Sequence, residues 1–230
     1  MPPVIRVRSF AAGHPGPVIR VWRFQTNNTW SVTTVVRYGA SVADDSELRL
    51  CGDMAGKRVI ELGIGSPSNA VALATAGARA LAVDPSPTRI AALRKQAETA
   101  EVTVQCHQNE VADLGFATSA SIDLVIASHT LEGVDDLARL LRQIHRVLKP
   151  EAPFVMAGPH PIAEMLERVE GQQVVHHAYG AGPSRSISEV FMAMQRTNFG
   201  IDVMHELMPL NSRSALTPAV LVIRARKLGD

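Results

Sequence analysis

The chain has 230 residues, a formal net charge of +1, 46% hydrophobic residues and 20% charged residues. This length suffices for one large domain, or for one domain with an appendage, and the near-neutral charge gives no argument for a nucleic-acid partner. No apolar run approaches the roughly 20 residues of a membrane helix, and the two cysteines, Cys51 and Cys106, do not indicate a disulfide framework. We therefore expect a soluble, cytoplasmic protein with no membrane and no nucleic acid among its partners.

The first 43 residues differ in composition from the rest of the chain. They contain five arginines and no acidic residue, and the pattern PVIRV begins at Pro3 and again at Pro17. The two β-branched copies flank a turn-rich connector, which predicts a β-hairpin, although a disordered arm fits the same composition. We therefore predict an N-terminal arm or hairpin at residues 1–43 and a separate domain at residues 44–230.

From residue 44 onward the predicted helices and strands alternate. A short helix at 44–54 precedes strands at 57–62, 79–84, 102–108, 121–128 and 152–158, with helices at 68–78, 86–100 and from 134 to 149 between them. The strands are apolar throughout and show no alternation, which indicates a parallel sheet with both faces covered by helices. The sequence therefore predicts an α/β fold, Rossmann-like and doubly wound, with a mostly parallel sheet.

The C-terminal part of the chain breaks this alternation. A predicted helix at 187–200 is followed by strands at 201–209 and 217–227 with no helix between them, which predicts a terminal antiparallel pair. The segment at 161–183 is less regular, and we predict a loop that covers the sheet.

A glycine-containing turn joins the first predicted strand to its helix in the stretch VIELGIGSPSNAVALA. Gly63 permits a tight turn and Gly65 allows a ligand to approach the backbone, at the sheet edge where open α/β folds bind ligands. A dinucleotide fingerprint requires glycine three positions after Gly65, where this sequence has Ser68. Pro67 also lacks an N–H group for a phosphate. The pattern weakens the dinucleotide interpretation without excluding it.

Carboxylates follow or end each of the first three strands. Glu61 precedes the glycines, Asp84 ends the second strand, and Glu110 and Asp113 follow the third. A carboxylate at the position of Asp84 accepts both hydroxyls of a ribose in nucleotide-binding folds, although it can also cap the following helix. Glu61 suits a cofactor with an ammonium group and would repel a pyrophosphate. A structural ion pair for Glu61 and a solvated turn at Glu110 are the simpler alternatives.

Five segments in order carry a family resemblance: VIELGIG, LAVDPSPTRI, HQNEVADLGF, SIDLVIASHTLEGVDDL and RQIHRVLKPEAPFVMAG. Together they resemble the class I S-adenosylmethionine-dependent methyltransferases, from residue 44 to the C-terminus. The resemblance implies a methyltransferase domain at 44–230, a seven-stranded sheet and S-adenosyl-L-methionine as cofactor. Pro67 departs from the family pattern, in which many members have glycine.

The resemblance also implies a set of cofactor-binding residues, which are Glu61, Gly63, Gly65, Asp84, Pro85, Glu110, Val111 and Ser128. The first three would line the methionine end of the cofactor, and Asp84 and Pro85 would contact the ribose and the adenine. Glu110 and Val111 would contact the adenine amino group and ring, and Ser128 would face the sulfonium.

Histidines supply the candidate catalytic groups. His129 and His160 each follow a predicted strand end on the substrate side, and a neutral histidine can take a proton from a hydroxyl during methyl transfer. The alternative for both is a loop histidine bonded to the backbone. His176 and His177 could line the acceptor pocket or bind a metal with nearby glutamates, but no ligand spacing supports a metal, so none is predicted.

The sequence therefore predicts methyl transfer from S-adenosyl-L-methionine to a small polar metabolite, at a hydroxyl oxygen. The acceptor pocket is expected at Arg37–Tyr38, in the loops after Ser128 and Gly158, and around His176–Tyr179. Two alternatives stay open: an NAD(P)-dependent oxidoreductase, and a degenerate methyltransferase that binds the cofactor and acts as an interaction module. A homodimer is compatible with a domain of this kind.

Overall fold

The computed structural model describes residues 35–170, 172–212 and 215–229, and the predicted N-terminal hairpin lies outside them. The strands are β1 (Arg58–Leu62), β2 (Arg79–Val83), β3 (Val104–His107), β4 (Leu124–Ser128), β5 (Pro153–Pro159), β6 (Leu166–Val169), β7 (Gln172–Val175), β8 (Phe199–Leu207) and β9 (Val220–Lys227). The α-helices are α1 (Asp45–Leu48), α2 (Asn69–Thr75), α3 (Pro87–Thr99), α4 (Leu137–Val147) and α5 (Ile187–Arg196).

Seven of these strands form one sheet in the order β3-β2-β1-β4-β5-β9-β8. The neighbours from β3 to β5 pair in parallel, whereas β9 pairs antiparallel with both β5 and β8. The chain runs outward from β1 to β3 and then returns to place β4 on the other side of β1. The predicted α/β, doubly wound, mostly parallel seven-stranded sheet with a terminal antiparallel pair is confirmed, and its strand order reverses between β1 and β4.

The sheet is apolar because helices cover both of its faces. Ile60 and Leu62 of β1 pack in one buried cluster with the apolar stripe of α4, while Val59 packs in the opposite cluster with α2 and α3. In α4 the buried residues recur at spacings of three and four, which places them on one side of the helix: Leu137, Leu140, Leu141, Ile144 and Val147. Among the described residues, no helix has the length and hydropathy required to cross a membrane.

The core begins before the predicted boundary at residue 43. Val36, Tyr38 and Val42 are buried in the cluster that contains the apolar side chains of α2 and α3. The Tyr38 hydroxyl donates a hydrogen bond of 2.6 Å to Asp45 Oδ1, and burial raises the pKa of this tyrosine above its usual range. Residues 35–43 are therefore packed as part of the main domain.

Three local predictions were wrong. The segment at 161–183 contains an antiparallel hairpin of β6 and β7, whose side chains are mostly exposed and so give no burial pattern in the sequence. The predicted helix at 187–200 ends at Arg196, and its last residues begin β8 instead. The predicted helix at 44–54 is one turn long, and Asp44 caps it by accepting from Ser46 N–H at 3.0 Å.

Candidate cofactor and acceptor site

The turn between β1 and α2 requires glycine at position 63. Gly63 has a φ of +68°, and a Cβ atom there would lie 2.3 Å from Thr130 Oγ1. Thr130 follows β4 and donates a hydrogen bond of 2.7 Å to the carbonyl of Leu62. The tight turn predicted at Gly63 is present, and the loop after β4 packs against it so closely that there is no room for a side chain.

Replacing Gly63 with alanine is expected to lower the free energy of unfolding by about 2 kcal/mol or more, since left-handed backbone and a steric clash both act against the side chain. Urea denaturation measures this change. Gly133→Ala is the matched control, because a Cβ at Gly133 meets nothing within 4 Å. Adding Thr130→Ala to Gly63→Ala should recover part of the loss, and equal destabilisation by both glycine variants would contradict the clash with Thr130.

Glu61 is fully buried beneath the glycine turn, where its two carboxylate oxygens accept four hydrogen bonds. Oε1 accepts from the backbone N–H groups of Gly65 at 3.3 Å and Asn69 at 2.9 Å. Oε2 accepts from Ser68 Oγ at 2.5 Å and from the N–H of Ala70 at 2.9 Å. Burial raises the pKa of Glu61, while these donors lower it. The carboxylate therefore holds the turn and the first turn of α2 together.

This use of the α2 N-terminus bears on the choice of cofactor. A dinucleotide places its pyrophosphate on the N–H groups at this helix start. Here the amides of Gly65, Asn69 and Ala70 donate to Glu61, and the amide of Ser68 donates to Gln96 Oε1 at 3.0 Å. A negatively charged group would also be repelled by the Glu61 carboxylate if it were ionised. The geometry disfavours a pyrophosphate and accommodates a ligand without phosphate groups.

Asp84 lies directly after β2 and is 1% exposed. Its Oδ2 accepts from the N–H of Ile64 at 2.8 Å and from Arg89 Nη1 at 3.3 Å, and its Oδ1 accepts from the N–H of Ser86 at 2.8 Å. The carboxylate thus joins the glycine turn to the start of α3, where Ser86 is the N-cap residue. Since an ionised carboxylate offers about four acceptor positions, the ribose role of Asp84 requires at least Arg89 to release Oδ2.

An open cleft of about 280 Å³ lies between the glycine turn, α3 and the end of β4. It is lined by Gly63, Ile64, Gly65, Ser66, Arg89, Ala92, Gln96, Ser128, His129 and Thr130. The structure therefore brings together three predicted cofactor residues, Gly63, Gly65 and Ser128, while Glu61 and Asp84 lie buried behind them.

Helix α3 also contributes to this cleft, which was not predicted. Arg89, Ala92 and Gln96 lie three and four residues apart, so one side of the helix faces the glycine turn. That spacing was available in the sequence as a signal. The remaining predicted cofactor residues lie outside the cleft lining: Pro85 and Glu110 are exposed, and Val111 is half-buried in the turn after β3.

His129 stands at the edge of the cleft, and its ring is oriented by the backbone. Its Nε2 lies 2.9 Å from the carbonyl oxygen of Tyr38. Because a carbonyl oxygen only accepts, Nε2 carries the hydrogen in the neutral ring and Nδ1 carries the lone pair. The side chain is exposed. His129 therefore keeps the properties of a proton acceptor that the prediction requires.

His160 has a different environment, although it also follows a strand end. The ring is fully buried, its Nε2 lies 2.8 Å from Glu206 Oε1, and its Nδ1 accepts from the N–H of Ile162 at 3.2 Å. Both ring nitrogens are thus engaged within the protein. This geometry favours a structural role for His160 and leaves the catalytic role as an unsupported prediction.

The predicted acceptor segments contribute unequally. The Arg37 backbone is fixed beside the cleft, because its N–H donates to Asn69 Oδ1 at 2.8 Å and its carbonyl accepts from Asn69 Nδ2 at 2.9 Å. The Tyr38 side chain is buried in the core, so only its backbone faces His129. His176 is exposed and lies 3.4 Å from Glu167 of β6.

One family model and several known proteins are similar to this chain. A family model described as a methyltransferase domain matches residues 60–156. A ubiquinone biosynthesis O-methyltransferase of Xanthomonas oryzae pv. oryzae is 32% identical over 130 aligned positions, and the alignment covers 50% of this chain and 54% of that protein. The chain therefore spans about half the length of the curated relatives it matches.

Solved structures with the same fold cover most of the chain. A crystal structure of an S-adenosylmethionine-dependent methyltransferase from Mesorhizobium loti has a TM-score of 0.66 at 22% identity, over 78% of this chain and 95% of that one. A geranyl diphosphate C-methyltransferase from Streptomyces coelicolor A3(2), solved with S-adenosyl-L-homocysteine, has a TM-score of 0.60 at 14% identity, over 80% of this chain and 79% of that one. At these identities the likeness establishes the fold.

The fold and the glycine turn define a Rossmann-like domain whose cleft accommodates a ligand without a pyrophosphate. Residues 60–156 match the methyltransferase-domain model, and the fold is that of the class I S-adenosylmethionine-dependent methyltransferases. The cofactor of this family is S-adenosyl-L-methionine, as the resemblance implied. The residues present fit it, with a carboxylate at Asp84 for the ribose and the helix amides of α2 already bonded to Glu61.

Proposed function

We propose that this protein transfers the methyl group of S-adenosyl-L-methionine to a hydroxyl oxygen of a small polar metabolite. The observation that carries the proposal is the single loop after β4, which lines the cofactor cleft with Ser128 and presents the oriented imidazole of His129 beside it. The family match supports methyl transfer, and the names of the curated relatives support an oxygen acceptor.

In this proposal the cofactor supplies a methyl group that is already activated by its sulfonium. The protein aligns the acceptor oxygen with that carbon and excludes water from the cleft. A hydroxyl acceptor also has to lose its proton to a group at the carboxyl ends of β4 and β5, and the imidazole of His129 is positioned to hydrogen-bond that hydroxyl. The free cysteines Cys51 and Cys106 support a reducing, cytoplasmic location for this reaction.

Thermal unfolding with S-adenosylmethionine, S-adenosylhomocysteine or NAD tests the cofactor assignment. We expect the two sulfur nucleosides to stabilise the fold by about 2.7 kcal/mol at one hundred times their dissociation constant, and NAD to leave it unchanged. Stabilisation by NAD alone would support the oxidoreductase alternative and contradict the proposal.

Methyl transfer itself is tested with acceptors that share one ring and differ in the attacked atom: phenol and catechol, aniline, and benzenethiol. Radiolabelled S-adenosylmethionine and mass spectrometry of the products identify the methylated atom. We expect transfer to oxygen. A protein that binds S-adenosylhomocysteine yet methylates no hydroxyl of catechol or phenol would contradict the proposal and favour the degenerate module.

A further inference from the structure

We propose that Glu132 is a catalytic residue of this reaction and takes the proton from the acceptor hydroxyl. The proposal rests on the proposed hydroxyl methylation and adds a residue that the sequence analysis considered only among nearby glutamates for a metal. Glu132 lies in the short 3-10 helix Leu131–Gly133, directly after the loop that ends β4.

The position of Glu132 relative to the cofactor cleft follows from this loop. Residues 128–130 line the cofactor cleft, whereas Leu131 and Glu132 line a second cleft next to it. Consecutive residues of one stretch of chain therefore contribute to both clefts, and Glu132 is two residues from Thr130, which lines the cofactor cleft.

Gly158 of β5 makes room for the Glu132 carboxylate. A Cβ atom on Gly158 would lie 2.4 Å from Glu132 Oε1, so the carboxylate occupies the space that any side chain at position 158 would fill. The adjacent residue Ala157 pairs with Ser128 across β4 and β5. The carboxylate thus lies beside Gly158, near the carboxyl ends of these two central strands, where open α/β sheets bind their ligands.

The second cleft is small and largely apolar. Its free volume is about 30 Å³, which is enough for a small group such as a hydroxyl. Apolar side chains form much of its lining, including Leu131, Leu137, Met156, Val190 and Leu221. An acceptor hydroxyl that entered it would meet the Glu132 carboxylate beside these apolar side chains.

The groups that face Glu132 tune its proton affinity. Burial raises the pKa of Glu132, and its own backbone N–H group and His129 oppose this rise. Glu164 raises the pKa further, and Arg185 lowers it. The guanidinium of Arg185 donates to the carbonyls of Leu131 and Val134, so it braces the loop that carries Glu132. A carboxyl group with a raised pKa is a stronger base than an exposed glutamate.

The proposed step balances as a single displacement. The acceptor oxygen forms a bond to the methyl carbon, the bond between that carbon and sulfur breaks, and its electron pair stays on sulfur as S-adenosylhomocysteine forms. The hydroxyl proton moves to the Glu132 carboxylate. His129, on the cofactor side of the same loop, orients the acceptor.

The test compares Glu132→Gln with the wild type, using catechol as acceptor and Glu98→Gln on the exposed side of α3 as control. General-base catalysis contributes about 10²- to 10⁴-fold, so kcat should fall by roughly that factor near neutral pH with little change in KM. The deficit should narrow toward about pH 10, where a phenolic hydroxyl ionises by itself. In the wild type, kcat should fall as the pH drops through the raised pKa of Glu132.

The outcomes separate the two proposals. If a folded Glu132→Gln protein has the kcat and the pH profile of the wild type, the role of Glu132 is overturned and the proposed function is not. The same holds if the pH-dependent loss of kcat appears in His129→Gln instead. Failure of the wild type to methylate any hydroxyl probe, with S-adenosylhomocysteine still bound, would overturn the proposed function and this inference with it. If Glu132→Gln does not fold, Glu132→Asp, which withdraws the carboxylate by one methylene, should show a partial deficit with the same pH dependence.

Discussion

Asp84→Ala is expected to weaken the binding of S-adenosylhomocysteine about 100-fold. A hydrogen bond to a charged group contributes about 1.5–3 kcal/mol, so the loss of two ribose contacts removes roughly 3 kcal/mol. The carboxylate lies at the end of β2, with Ile64 of the glycine turn bonded to the same oxygen that Arg89 contacts. Isothermal titration calorimetry measures the dissociation constants of both proteins.

Asp84 also accepts hydrogen bonds from the backbone of Ile64 and Ser86. Asp84→Ala could therefore weaken binding through lost ribose contacts or through a displaced glycine turn, and a second measurement separates the two causes. The 2′,3′-dideoxy analogue of S-adenosylhomocysteine completes a double-mutant cycle with Asp84→Ala. If the carboxylate holds the hydroxyls, the analogue binds weakly to the wild type and loses little more on mutation. Equal losses of parent and analogue on mutation would show that Asp84 acts through the loop. Arg94→Ala, on the same helix as Arg89, serves as the surface control.

The fold was predictable because each central strand is a short apolar segment that can be identified from the local sequence. The apolar segments that became β1, β2 and β4 are buried on both faces, and their helices carry caps or apolar stripes that the sequence displays. The hairpin β6–β7 was not predictable on this basis, since its strands of four residues are mostly exposed and carry no periodic signal.

Part of the candidate site was also predictable from the sequence, and part was not. Gly63 and Asp84 were identified from their places at strand ends, because topology alone brings the carboxyl ends of neighbouring parallel strands together. The approach of Glu132 to Gly158 and the contact of His160 with Glu206 join residues far apart in the chain. No local pattern encodes such contacts, so the sequence could not show that both ring nitrogens of His160 are engaged within the protein.

Glu61→Gln is expected to lower the free energy of unfolding by about 2 kcal/mol, a large share of the 5–15 kcal/mol that stabilises a typical domain. Each carboxylate oxygen accepts two hydrogen bonds, whereas a carboxamide replaces one oxygen with a donor. That NH₂ group would face the N–H of Ala70 or of Asn69 in a fully buried site, and at least one donor would lose its partner. Urea denaturation monitored by circular dichroism measures the change.

Two further variants serve as comparisons for Glu61→Gln. Ser68→Ala removes one of the four donors and the N-cap of α2, for an expected loss of about 1 kcal/mol. Glu98→Gln makes the same chemical change on the exposed surface of α3 and should stay within about 0.5 kcal/mol. Glu61→Gln should lower the free energy of unfolding the most, because it leaves a buried N–H group without an acceptor.

The same variants decide between the two roles of Glu61. The family resemblance places this carboxylate at the methionine end of the cofactor, whereas the structure engages both of its oxygens within the glycine turn. If the Glu61 carboxylate acts through the turn, Glu61→Gln mainly lowers the free energy of unfolding. The folded variant then binds S-adenosylhomocysteine with an affinity that falls only through a displacement of Gly65. A variant that unfolds like the wild type yet loses affinity for S-adenosylhomocysteine, with no loss for an analogue that lacks the amino group, would instead place the carboxylate against the ammonium of the cofactor.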